Sequence, residues 1–189
     1  AAGAADRPDD VELLDVTRMC NGLVQTFAEY AETHKVGYRT EVGEGMLFPS
    51  ARGTLSMVLN IVLSNAFRRS ETGGEVFFGV SVVQDRLRVV VSNRGEGVDL
   101  GQIEFLSDRY RLLDYLESRG KGGLSQKGDM ELAICHNLAA KLGGEFRIAS
   151  EGDVTTVTLS FPELEIARVT QPVLQVDMAS DRQFGMPGA

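Results

Sequence analysis

Residues 75–97 read EVFFGVSVVQDRLRVVVSNRGEG. Two runs rich in β-branched residues, 75–83 and 86–91, flank a short polar turn at Gln84-Asp85, which predicts a tight antiparallel hairpin. The second strand leads into Asn93-Arg94-Gly95-Glu96-Gly97. Glycines in such a strand-exit turn permit dihedrals that side chains forbid and let another group approach the main chain closely.

On the N-terminal side, residues 50–69 carry Leu55, Val58, Leu59, Val62, Leu63 and Ala66 at helical spacing, and a Thr72-Gly73-Gly74 turn separates this helix from the hairpin. Earlier, apolar positions 16, 19, 20, 23, 24, 27, 30 and 31 predict a first helix with Asp15 as its N-cap. Gly37 follows it, and residues 38–42 and 46–48 read as short strands around a Gly-containing turn. On the C-terminal side, residues 103–117 read as helix and 118–127, SRGKGGLSQK, as a Gly-rich polar loop. Residues 131–142 predict a further helix stopped by Gly143-Gly144, and 146–149 with 154–161 predict strands around a Gly152-Asp153 turn. This order predicts an α+β, two-layer sandwich, a mixed and mostly antiparallel sheet with its helices on one face. The domain is expected over residues 11–162, between a disordered leader at 1–10 and an extension or linker at 163–189.

The bulk numbers agree with one globular domain: 189 residues, 43% hydrophobic and 24% charged. A net charge of −8 argues against a nucleic-acid partner, because no basic field exists to displace phosphate counterions. No apolar run approaches the ~20 residues of a membrane span, and no signal peptide is visible in the Ala-rich start. Cys20 and Cys135 lie in helical apolar patterns and read as two buried reduced thiols. His34 and His136 have no acidic or Cys partner at ligand spacing and read as surface residues on helices.

Four short motifs, in this order, resemble the catalytic and ATP-binding domain of sensor histidine kinases, within the wider group shared with gyrase, Hsp90 and MutL. The first is Leu63-Ser64-Asn65-Ala66-Phe67-Arg68-Arg69-Ser70, similar to L-x-N-A-x-K-[FY]-[ST]. The resemblance implies that Asn65 binds the magnesium that bridges the phosphates, and a neutral carbonyl oxygen is a suitable hard ligand. It places Arg68 where a Lys contacts phosphate, and Arg69 where an aromatic lies beside adenine. The second is Val91-Ser92-Asn93-Arg94-Gly95-Glu96-Gly97, similar to D-x-G-x-G with Asn93 in the place of the Asp that accepts from the adenine amino group. Gly95 and Gly97 then lie against the purine. An amide oxygen still accepts, at a loss of ~1–2 kcal/mol relative to a charged acceptor.

The third motif, Phe105-Leu106-Ser107-Asp108-Arg109-Tyr110-Arg111, resembles the F-x-x-F-[YF]-R that opens an ATP lid. The fourth is Leu132-Ala133-Ile134 with Leu142-Gly143-Gly144, similar to the last lid helix and its exit. There the family's G-x-G-L-G-L is replaced by Lys127-Gly128-Asp129-Met130-Glu131-Leu132. The resemblance puts Lys127 and Gly128 near the phosphates. Asp129 and Glu131 either face the polyanion, at ~3 kcal/mol for each like-charge pair, or stabilise a helix first turn through its dipole.

The resemblance implies Mg-ATP as cofactor and γ-phosphoryl transfer to a histidine on a phosphoacceptor and dimerisation hairpin of the same parent protein, then to a response regulator. Neither His34 nor His136 is in such a context, so no residue of this chain is assigned as catalytic. In the gyrase and Hsp90 branch a Glu one turn before the Asn activates water; here that position is Ile61, with Asn60 offset by one. The alternative reading is a degenerate, pseudokinase-like module that keeps the fold as a docking scaffold and binds little or no ATP. The isolated domain is expected to be monomeric and cytoplasmic, without direct membrane contact. Val173-Leu174-Gln175-Val176-Asp177 is similar to the opening strand of a receiver domain, with an extra edge strand or linker as the alternative.

Overall fold

The computed structural model describes residues 10–107 and 127–166, with 102, 105–107 and 127–129 as backbone only. The expectations for residues 1–9, for 108–126 and for 167–189, including the receiver-like strand, lie outside these residues. The elements are β1 (Val11–Asp15), α1 (Val16–His34), β2 (Gly37–Val42), β3 (Leu47–Ala51), α2 (Arg52–Arg69), β4 (Glu75–Val83), β5 (Arg86–Arg94), α3 (Leu100–Ser107), α4 (Lys127–Lys141), β6 (Glu145–Glu151) and β7 (Val154–Pro162).

The main sheet has the order β2-β4-β5-β7-β6, with β2 parallel to β4 and the other pairs antiparallel. The predicted hairpin forms as read. Gln84 and Asp85 have φ of +51° and +58°, the left-handed pair that a two-residue hairpin turn needs to match strand twist. Strand alternation then sends Val76, Phe78 and Val80, Leu87, Val89 and Val91, and Val157, Leu159 and Phe161 to one buried face. Each such side chain contributes about 1.5–3 kcal/mol on burial.

The helices cover that face. Asp15 Oδ1 caps α1 by accepting from the Arg18 backbone N–H at 2.8 Å. The helix ends at Lys35, whose φ of +55° reverses the chain. α2 buries its predicted stripe and also Thr54, Asn65 and Phe67, because α1, α4 and the sheet surround it. Phe67 stacks on Phe27 with centroids 5.2 Å apart and takes Tyr38 edge-on at 4.9 Å, tying α1, α2 and β2 together.

Three expectations are corrected. Residues 38–42 and 46–48 do not pair around their turn: β2 lies against β4, whereas β3 pairs antiparallel with β1 in a separate two-stranded ribbon. β1 is invisible to alternation because VELLD buries Leu14 alone and leaves Leu13 exposed. His136 is half-buried, with its ring edge-on to Phe146 at 5.7 Å, since α4 packs on β6. His34 is exposed and stacks on Tyr30, as a surface residue should. α4 begins at Lys127, four residues before the predicted start. Cys20 and Cys135 are buried free thiols, and burial pushes both up to about 12. Among the described residues no helix is long and apolar enough to cross a membrane.

Candidate functional site

The inward row of β5 runs Leu87, Val89, Val91 and then Asn93, and that of β7 runs Phe161, Leu159, Val157 and then Thr155. Both rows change from hydrocarbon to polar at the same level, because Asn93 and Thr155 are register partners across the two strands. They are 4% and 3% exposed. Asn93 Nδ2 and Thr155 Oγ1 are nevertheless buried without a hydrogen-bond partner. An orphaned buried polar group costs about 1–3 kcal/mol, so two side by side at a sheet end mark a place that a polar ligand completes. The residues therefore fit the edge of a purine base. Thr155 is absent from the sequence-based site: the alternation of 154–161 puts it on the inner row, but only strand register sets it beside Asn93.

Gly95 and Gly97 follow on the turn, with different reasons for being glycine. A Cβ on Gly95 would lie well inside 3.0 Å of the Arg69 carbonyl oxygen, and the residue has φ of +156°. The fold itself demands this glycine, where the end of α2 meets the turn. Ser70 bridges Gly95, Glu96 N–H donates to Arg69 O at 2.9 Å, and Gly95 N–H donates to Asp153 O at 2.8 Å. At Gly97 an added Cβ meets nothing closer than Ser150 Oγ at 3.5 Å, an ordinary contact. No steric demand of the described chain requires a glycine there. Arg69, at the position of an aromatic in the resembling motif, donates from Nη1 to Gly97 O at 2.6 Å and straps the turn to α2.

Asn65 lies on α2 one turn before Arg69 and is 3% exposed. Arg68 is on the outer side of the same helix, and its two terminal nitrogens pair with the two carboxylate oxygens of Glu131, Nη1 to Oε1 at 3.2 Å. Glu131, one turn into α4, is thus not a bare carboxylate. Its charge is matched by the cation that the sequence reading assigns to phosphate. Lys127 and Gly128 form the first backbone turn of α4, and the Arg68–Glu131 pair and the Cys135 Sγ–Val58 O contact of 3.8 Å hold that helix along α2. The end of α2 thus meets the β5 turn through Arg69–Gly97 and Ser70–Gly95 and meets α4 through Arg68–Glu131, so that α2, the start of α4 and the β5 and β7 ends bound the candidate region.

No general base for water faces this region from the α2 position preceding Asn65. Ile61 packs against the core, and Asn60 is exposed with its Nδ2 donating to Ser56 O at 2.9 Å. Among the described residues no group of three or more His, Cys, Asp and Glu side chains could hold a metal.

Comparisons with known proteins bear on the family and the fold. Residues 51–165 match the model of the histidine kinase-, DNA gyrase B- and HSP90-like ATPase family. The chain is 27% identical over 160 residues to the sensor-like histidine kinase SenX3 of Mycolicibacterium smegmatis, covering 84% of this chain and 41% of that protein. It is 26% identical over 157 residues to the sensor histidine kinase WalK of Bacillus subtilis, covering 82% and 25%. The chain thus spans less than half the length of these relatives. Among solved structures, the nucleotide-free catalytic domain of histidine kinase ThkA superposes with a TM-score of 0.66 at 14% identity, over 82% of this chain and 96% of that one. Full-length ShkA, solved in complex with AMPPNP, gives 0.65 at 18% identity, over 85% and 33%. The chain belongs to the histidine kinase-, DNA gyrase B- and HSP90-like ATPase family, as a catalytic domain of the sensor histidine kinase kind.

Proposed function

We propose that this domain binds Mg-ATP between α2, α4 and the β5 and β7 ends, and presents the γ-phosphate to a histidine on a helical hairpin of its parent protein. The observation that carries the reading is the paired orphan groups, Asn93 Nδ2 and Thr155 Oγ1, at the level where two hydrophobic rows stop. The adenine edge hydrogen-bonds there, with Gly97 leaving room over the turn. Asn65 offers its side-chain oxygen to magnesium, which offsets phosphate charge when bound. Arg68 reaches a phosphate only by exchanging Glu131 for it. The α4 N-terminus adds positive potential.

The phosphorylated histidine then serves a response regulator; a structure of ThkA in complex with the response regulator TrrA is among the solved neighbours. The domain works in the cytoplasm, where ATP and the regulator are found, alone or as part of a membrane-bound sensor. The experiment is calorimetric titration of the 189-residue chain with Mg-ATP and Mg-ADP. A dissociation constant between micromolar and low millimolar that weakens with EDTA is expected. No heat and no thermal shift at several millimolar, with the protein folded by circular dichroism, would refute it.

A further inference from the structure

The orphaned atom of Asn93 is Nδ2, a donor. A carboxylate at this position could only accept, and so could pair only with a base edge that donates. The carboxamide carries one donor and one acceptor side by side, and its two orientations are related by a half-turn. In one, the side-chain oxygen accepts from a 6-amino group while Nδ2 donates to N1 of adenine. In the other, Nδ2 donates to a 6-oxo group while the oxygen accepts from N1–H. No hydrogen bond to Nδ2 holds the amide in either orientation. Its register partner Thr155 ends in a hydroxyl that both donates and accepts, and this too is uncommitted. The buried polar residues among those described are Ser50, Thr54, Asn65, Asn93 and Thr155, none of them ionised, while the Arg69 guanidinium, whose Nε is buried, is held on the turn at Gly97 O.

We infer that the base pocket accepts 6-oxopurine nucleotides alongside 6-aminopurine ones, with Asn93 as the residue that sets this breadth. The inference rests on the nucleotide-site reading above. Each base makes two hydrogen bonds to the same side chain, so neither leaves a buried group unpaired. Sites that reject an analogue strongly do so by leaving such a group unpaired.

The probe is Mg-ITP against Mg-ATP, since hypoxanthine differs from adenine only in the 6-substituent and the N1 proton. Binding is read by calorimetry on the 189-residue chain and on Asn93→Asp. For the unsubstituted chain, dissociation constants within about tenfold of each other are expected, because both edges are satisfied. For Asn93→Asp, the ratio should move at least about tenfold toward ATP, because a carboxylate meeting a 6-oxo group sets two acceptors face to face. ATP preferred by more than about a hundredfold in the unsubstituted chain overturns the inference and leaves the ATP reading standing. So does an unchanged ratio in Asn93→Asp. If neither nucleotide binds a folded chain, the nucleotide-site reading falls and this inference falls with it. Should Asn93→Asp fail to fold, Thr155→Val replaces it: loss of both affinities together supports a shared base edge, and no change in either overturns it.

Discussion

Replacing Gly95 by Ala separates a glycine that the fold needs from one that a ligand needs. A Cβ at 95 collides with the Arg69 carbonyl oxygen, which is backbone and cannot rotate away. The turn and the last turn of α2 must therefore part. Two hydrogen bonds are at stake, Glu96 N–H to Arg69 O at 2.9 Å and Gly95 N–H to Asp153 O at 2.8 Å. At about 1 kcal/mol each they contribute about 2 kcal/mol. Holding Ala at a φ that side chains rarely adopt adds about 1–3 kcal/mol. The expected loss is about 3–5 kcal/mol, a large part of the 5–15 kcal/mol typical of a domain. At 2–4 °C per kcal/mol for a chain of this size, the melting temperature falls by roughly 6–20 °C. Gly97→Ala meets only Ser150 Oγ at 3.5 Å, and its stability should change by no more than about 0.5 kcal/mol. Urea denaturation followed by circular dichroism measures both, and Mg-ATP titration of Gly97→Ala asks whether the ligand feels the new methyl group. A loss under about 1 kcal/mol for Gly95→Ala would falsify the reasoning. It would mean that the turn relaxes away from α2 at little cost.

Other perturbations probe the same region. Glu131→Gln releases Arg68, and Mg-ATP affinity should rise about two- to tenfold while stability falls by no more than ~1 kcal/mol, as for a partly exposed ion pair; weaker binding would show that the pair assembles the site instead of competing with phosphate. Asn65→Ala should remove the magnesium dependence of ATP binding, and an intact EDTA effect would take the metal away from Asn65. The buried thiols give a pH test. Cys20 and Cys135 are raised from 9.0 to about 12, so between these values the folded state holds protons that the unfolded state has lost. Stability is then complete below pH 9 and falls as pH rises toward 12, with a slope of up to about 1.4 kcal/mol per pH unit for each thiol. Iodoacetamide labelling at pH 8 should be slow until the chain unfolds, and rapid labelling of the folded protein would contradict that burial.

Local chemistry made much of this legible in the sequence. The hairpin at Gln84-Asp85, the stripe of α2, the cap at Asp15 and the turn at Gly152 are short-range features, each encoded within a few residues. β1 and the separation of β2 from β3 were not legible. Pairing partners in a sheet are chosen by what else is available to cover a strand edge, and VELLD has no periodic pattern to announce itself. His136 was misplaced because a helix pattern alone cannot say which flank the β6 edge will cover.

The site divides in the same way. The family and the order of the motifs were readable along the chain, and with them the candidates Asn65, Asn93, Gly95 and Gly97, because motif spacing is a one-dimensional property. Folding in three dimensions is what sets Thr155 beside Asn93, holds Arg68 to Glu131, straps Arg69 to Gly97 and makes Gly95, but not Gly97, answer to α2. Each of these depends on groups well separated along the chain, 28 residues for Arg69 and Gly97 and 63 for Arg68 and Glu131, meeting within hydrogen-bond or van der Waals distance. Such meetings are set by strand register and helix packing, and no local pattern along the chain carries them.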